Sequence, residues 1–444
     1  MRISIAVCGL VLSSLARGEG SGEDWPQWRG PAANGVAASA APTEWSEDEG
    51  LRWKVDLPGV GSSTPIVFGS RVYVTTAIPT ERRPDGAKPA KAADEPAQAG
   101  GRGRRRRPEP LENIYEFVVV ALDRADGKEV WRSKVAETVP HEPGHSTNTQ
   151  ASASPVTDGE HIWAFFGSRG MHCLDMNGKL VWSKDFGQMQ TRNQFGEGAS
   201  PALEGDVLVM VWDHEGEDFI VALNKHDGEE LWRVKRDEPT TWVTPLIVPV
   251  GNRHQVIVTA TNASRAYDLA TGKVIWSLGG MTTNCIPTSL YRDGVVYLMS
   301  GYRGQALQAV RLEGASGDLA GTENVLWEHG QGTSYVPSGV IAGDEIYFLR
   351  GNNGVLSCLD IDDGKVHYGG ERLGDIKSVY ASITAAGDYL YIPSREGQTA
   401  VVKRGPSFEL VAVNALSETF DASPVIVDGE LYLRGHQTLY CIGK

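Results

Sequence analysis

Cysteine is scarce in this chain, with 5 in 444 residues, and one of those, Cys8, lies close to the N-terminus. The other four, Cys173, Cys285, Cys358 and Cys441, have no spacing that suggests a zinc site. Three of them recur in one local setting: Met171-His172-Cys173-Leu174, Leu356-Ser357-Cys358-Leu359 and Leu439-Tyr440-Cys441-Ile442. Elsewhere that setting holds alanine, as in Ala121-Leu122-Asp123 and Ala222-Leu223-Asn224, so these thiols read as small core residues. Long apolar runs are missing as well. Beyond residue 20 none reaches the length of a membrane span. The chain has no Gly-x-Ser-x-Gly, no phosphate loop and no nucleophile constellation. Its net charge of −14 disfavours nucleic acid as a partner of the body. What it does have is 41% hydrophobic and 22% charged residues, 52 glycines, 23 prolines and 12 tryptophans. That mixture favours many short strands joined by tight turns.

The first residues read as a secretory signal: Arg2 for charge, Ile3 to Leu15 as an apolar stretch, and Ser14-Leu15-Ala16 as a small-x-small cleavage site. A periplasmic or extracellular location follows from cleavage after Ala16. The alternative is a retained N-terminus, or one lipidated at Cys8, which bulky Val7 and the short apolar run before it disfavour.

Self-similarity at a period in the forties organises the rest. One unit begins Ala153-Ser154-Pro155, passes Asp158-Gly159, Ile162-Trp163-Ala164 and Cys173-Leu174-Asp175, crosses Asn177-Gly178-Lys179 and ends at Trp182. Units anchor at Pro65, Pro155, Pro201, Pro245, Pro287, Pro337 and Pro424, with Ala381-Ser382-Ile383 filling the remaining slot. Asp-Gly pairs such as Asp293-Gly294 and Asp428-Gly429 suit two-residue hairpins, whose central residues need positive φ. A second turn at Asp126-Gly127, Asn177-Gly178, Asp227-Gly228, Thr271-Gly272 and Asp363-Gly364 precedes a large ring: Trp131, Trp182, Trp232, Trp276, Trp327 or Tyr368. Such a ring can wedge between neighbouring sheets. The last unit stops at Cys441-Ile442 without an outer strand, and Leu51-Arg52-Trp53-Lys54-Val55 supplies it. The expected fold is all-β: an eight-bladed β-propeller of four-stranded antiparallel blades, closed by an N-terminal strand. Seven blades result if the unit at Ser382 is not real. The expected boundaries are a signal at 1–16, an extension at 17–50 and the propeller at 51–444.

The run Ala-Leu-Asp, Thr/Asp-Gly-Lys, Trp resembles the pyrroloquinoline-quinone-like repeat of quinoprotein dehydrogenases and of the lipoprotein that assists outer-membrane β-barrel assembly. Asp24-Trp25-Pro26-Gln27-Trp28-Arg29-Gly30-Pro31, followed by Asn34-Gly35, is similar to the start of secreted planctomycete-type propellers. The resemblance spans about residues 24–444 and implies fold more than function.

One stretch breaks the period. Residues 77–113 are rich in Pro, Ala, Gly and charge, and include Gly101-Arg102-Gly103-Arg104-Arg105-Arg106-Arg107-Pro108. They hold nine basic and six acidic side chains, a net of +3, so the remainder carries −17. Composition predicts a disordered insertion between the second and third strands of blade one. It is either a solvated loop or a basic arm for anionic polysaccharide, lipid or protein.

In a propeller the outer-to-inner connections and the second-to-third strand turns share one face. The connections offer Asn148, Glu197, Trp242, Asn284, Tyr335, Tyr380 and Asp421 as ligand-binding candidates, and the turns offer Asp213, His214, Glu215 and Asn262. Six turns also hold an arginine: Arg169, Arg265, Arg303, Arg350, Arg395 and Arg434. Guanidinium forks on one rim suit a carboxylate, sulfate or phosphate. Alternatively they pack their stems on nearby rings and pair with local carboxylates. The resemblance also implies a rival reading, a dehydrogenase with pyrroloquinoline quinone and calcium, in which Glu197 and Asn262 hold the metal and Trp242 stacks on the quinone. The adjacent-cysteine disulfide of those enzymes is absent, and Asn284 stands where an acidic base is wanted. His141 and His145 straddle Pro143-Gly144, which argues for a loop and against a metal pair. The sequence therefore favours a non-catalytic binding or scaffold propeller for a protein or an anionic glycan, with no resident cofactor or metal. It leaves the oligomeric state open.

Overall fold

The computed structural model describes residues 23–85 and 111–443. The expected signal and the centre of the basic insertion lie outside the described residues. Eight sheets follow one another along the chain, each built on an antiparallel run of four strands, and two of them carry a fifth strand in parallel. Blade 1 orders Ile66–Phe68, Arg71–Pro79, Tyr115–Asp123 and Glu129–Thr138. Blades 2 to 8 begin with Val156–Thr157, Ala202–Glu204, Leu246–Val250, Leu290–Arg292, Val340–Ala342, Thr384–Ala386 and Val425–Val427. First strands of neighbouring blades touch around an axis. The second and third strands are buried, whereas fourth strands such as Glu230–Lys235 alternate toward solvent. The slot at Ser382 is a full blade, so the ring has eight members. It closes as expected, with Leu51–Asp56 pairing antiparallel to Thr438–Ile442.

Two repeated devices hold blade to blade. The first joins ring and glycine. The Trp53, Trp131, Trp182, Trp232 and Trp327 indoles lie on Gly127, Gly178, Gly228, Gly272 and Gly364 of the next blade, all at positive φ. Each indole N–H donates to a backbone carbonyl of that blade, as Trp182 Nε1 does to Lys225 O at 3.0 Å. A side chain on the glycine would overlap the ring, which is why the turn must be Gly. Trp276 departs from the pattern. Blade 5 replaces the tight turn with a longer segment whose Gly317–Asp318 pairs onto the outer strand of blade 4, and the fully buried Trp276 donates to Gln255 instead.

The second device is a girdle of hydroxyls around the axis. Backbone N–H groups donate from Thr64 to Ser154 Oγ, from Ser154 to Ser200 Oγ and from Ser200 to Thr244 Oγ1. The series continues from Thr288 to Ser338 Oγ, Ser338 to Ser382 Oγ, Ser382 to Ser423 Oγ and Ser423 back to Thr64 Oγ1. The link between Thr244 and Thr288 runs from hydroxyl to carbonyl at 2.7 Å. At seven of the eight junctions a hydroxyl of one blade thus satisfies a buried backbone donor of its neighbour, and at the eighth it satisfies a carbonyl, the condition a dry interior imposes.

Order persists into the basic insertion: the second strand of blade 1 runs to Pro79, and its neck is closed by Thr80 N–Ile114 O at 2.9 Å and Ile114 N–Arg82 O at 2.8 Å. The extension lies against the ring. Trp25 pairs with Val67 of blade 1, Thr157 of blade 2 donates to Pro26 O, and Val36–Ala37 lies parallel to the first strand of blade 7. Trp45 then stacks on Tyr391 of blade 7, at 6.5 Å between centroids. It belongs to the same buried cluster as the strands of blade 8, and blade 7 has no outer tryptophan of its own.

Candidate functional site

The axial channel has two unlike ends. At the end of the hairpin turns, residues 25–37 cross it as a plug. The Trp28 indole donates to Ser423 Oγ of the girdle. The Arg29 guanidinium is buried, with no carboxylate partner among the described residues, and donates to Asn34 O at 2.8 Å and Gly339 O at 2.6 Å. Burial alone pulls it down to about 9. The plug bonds to blades 1, 2, 6, 7 and 8, and leaves a cavity of about 290 Å³ against blades 3 to 5.

The opposite end is the loop face. Tyr335, in the connection before blade 6, is stacked there on Tyr302 at 4.7 Å and 24°. Burial pushes the Tyr335 phenol up, while the Asn284 amide and the Arg192 charge oppose that shift. Tyr380 is close enough to contribute too. Asn284 is only 2% exposed, sits at φ +59°, and its Oδ1 has no partner; neither has Thr283 Oγ1 beside it. Arg303, exposed at φ +54°, lies 5.4 Å from the Tyr302 ring. Asn193 and Gln194 share the left-handed region. Strain of this kind persists only where surrounding structure imposes it, and it gathers at functional sites.

Other candidates from the sequence are brought to this face but are engaged locally. Arg395 sits 4.9 Å from the Tyr380 ring and pairs with Asp421 at 2.9 Å, while His436 holds the other Asp421 oxygen at 2.7 Å. Arg265 pairs with Asp237 and Glu238. Asp213 is fully buried and bidentate on Arg236, with Thr241 Oγ1 donating to it at 2.7 Å. His214 accepts from the Gln190 backbone at 3.0 Å. Arg169 donates to His141 Nδ1 at 2.7 Å and packs on Phe117. Arg434, another of the six turn arginines, is placed unlike the exposed Arg303. It is 1% exposed and donates to Ser63 O at 2.8 Å and Thr75 O at 2.7 Å, riveting blade 8 to blade 1. Among the described residues, Arg192, Arg303 and Arg350 are the guanidiniums of this face with neither a carboxylate nor another hydrogen-bond partner; Arg169 also lacks a carboxylate but is held by His141 and Ser168 O. Sequence reasoning missed Arg192, which lies in an irregular connection outside the repeat, and it missed the plug and the buried Arg236.

The residues that the quinoprotein resemblance offered for calcium do not form one donor set. Both Glu197 oxygens accept from Ser168, through its backbone N–H at 2.7 Å and its hydroxyl. Burial pushes that carboxyl up, which opposes the ionised form a metal needs. The Asn262 amide turns to the Asp237 carbonyl, and the Trp242 indole donates to Gly196 O at 2.7 Å while Phe195 leans on its ring at 6.4 Å. His141 and His145 do not converge either, since His141 bonds to Met189 O and Arg169 and His145 to Thr147.

A family model described as outer membrane protein assembly factor BamB matches residues 116–367. The chain belongs to this family of PQQ-like propellers. Among solved structures it is similar to BamB from Moraxella catarrhalis, at 12% identity and a TM-score of 0.55, covering 74% of this chain and 94% of that one. It is also similar to a europium-containing methanol dehydrogenase, at 10% identity and a TM-score of 0.64, covering 95% and 98%. A third is the quinohemoprotein alcohol dehydrogenase ADHIIG from Pseudomonas putida HK5, at 11% and 0.56, covering 95% and 80%. At these identities the likeness is one of fold. No curated protein matches the sequence. No helix among the described residues is long and apolar enough to cross a membrane.

Proposed function

We propose that this protein is a non-catalytic, extracytoplasmic binding propeller whose loop-face mouth recognises a protein or an anionic glycan. The observation that carries this reading is the grouping at the mouth. Tyr302, Tyr335 and Tyr380 stand with Arg192 and Arg303, neither of which has an internal counter-charge. Aromatic faces beside uncompensated guanidiniums are a recognition surface in want of an anion. Export is supported by the signal-like N-terminus, and the −14 net charge speaks against nucleic acid.

The rival, a quinone- and calcium-dependent dehydrogenase, has the fold in its favour, but the dispersed donors around Glu197 and Asn262 support binding over redox chemistry. Titrating the protein with pyrroloquinoline quinone and calcium separates the two. The binding reading expects no chromophore shift and no dye-linked alcohol oxidation. Saturable quinone uptake with turnover would replace it.

A further inference from the structure

We infer that the mouth holds a subsite for one acidic sugar residue, a pyranose carrying a carboxylate or a sulfate ester, bounded by Arg192, Thr283, Asn284, Tyr302, Arg303 and Tyr335. This inference rests on the mouth being the binding site, and it narrows the ligand class.

Three features coincide there. The first is charge: Arg303 lies 5.4 Å from the ring of Tyr302, which stacks on Tyr335, and the Arg192 charge is felt at the Tyr335 phenol, so two unpaired guanidiniums act on one aromatic pair. The second is hydrogen-bonding capacity left unused inside the protein. Asn284 Oδ1 can only accept, Thr283 Oγ1 can donate or accept, and both are buried without a partner. A buried polar atom without a partner is expensive, so a ligand that supplies a hydroxyl there gains what the free protein lacks. The third is aromatic surface, since Tyr302 and Tyr335 are only half buried. A sugar ring presents C–H groups on one face and hydroxyls at its edge, and an acidic sugar adds an anion on the same ring. One residue therefore meets all three features. An acidic peptide meets the charge but carries fewer hydroxyls.

The test is calorimetric titration of the full chain with trigalacturonate, a sulfated galactan trisaccharide, neutral maltotriose and triglutamate. The carboxylated or the sulfated trisaccharide should bind at least tenfold more tightly than maltotriose and triglutamate, and the arm that binds identifies the anion. Arg192→Gln and Arg303→Gln should each weaken that binding about ten- to a hundredfold, the range of a charge-assisted hydrogen bond. Arg132→Gln, on the outer strand of blade 1, controls for general charge loss and should bind like the parent. Acidic trisaccharides no tighter than maltotriose would overturn the sugar subsite. Triglutamate binding as tightly as the sugars, and weakening with Arg303→Gln, would also overturn it while leaving the mouth as a protein-binding surface. Binding that ignores both arginine variants would remove the mouth reading as well.

Discussion

The ring-on-glycine joint between blades makes a quantitative prediction at Gly228. Its φ is +74°, and a Cβ there would lie 2.8 Å from Trp182 Cε3 and 3.0 Å from Cζ3. The left-handed backbone alone costs an alanine about 1–2 kcal/mol. The indole must also retreat, straining its 3.0 Å bond to Lys225 O, and overpacking of this kind adds about 1–3 kcal/mol. Gly228→Ala should therefore destabilise by about 2–5 kcal/mol. Gly205, in the first hairpin of the same blade, is the internal control: φ is +57° and nothing lies within 4 Å of its Cβ position. Gly205→Ala should cost the backbone term alone, about 1–2 kcal/mol. Urea denaturation followed by tryptophan fluorescence reads the difference as a displaced midpoint at constant slope. Equal displacement by the two variants would refute the claim that the joint rests on the ring.

Arg434→Ala should remove about 1–3 kcal/mol, because it strands the Ser63 carbonyl in a dry interior and leaves Thr75 O only its 3.3 Å bond from Ser63 Oγ, yet leave ligand affinity unchanged; an affinity loss without destabilisation would return it to the binding surface. Ser338→Ala orphans the Thr288 N–H of the girdle and should cost about 1–3 kcal/mol by the same denaturation measurement. Burial holds the His172 imidazole below its ordinary range. Above about pH 6.5 it is neutral in both states and contributes nothing. As the pH falls below that, the unfolded chain takes the proton first and stability declines. His172→Gln should flatten that acid-side slope in a series of melts, and an unchanged slope would refute the assignment.

The fold was legible because a propeller writes its period into the chain. The Asp-Gly hairpins, the recurring tryptophan and the missing last strand each had one physical solution, and Leu51–Asp56 lies where that solution puts it. The hydroxyl girdle was half visible, as Ser or Thr next to a leading proline, but its partners are blades away in sequence and only closure brings them together. The site was less legible. Arg303 and Arg434 occupy equivalent turns and both precede glycine, yet one points to solvent and the other into the interface between blades 8 and 1. What separates them is whether backbone carbonyls of the neighbouring blade stand within reach, which local sequence does not encode. Arg192 and the plug lie in irregular segments, where periodicity says nothing.

On the proposed reading, ligand occupies the loop-face mouth. Hydrogen exchange of the protein with and without a bound acidic oligosaccharide or peptide tests it most directly. Exchange should slow at residues 191–196, 282–286, 301–305 and 333–336, with the plug at 25–37 unaffected. Protection confined to the plug or to the outer strands would contradict it.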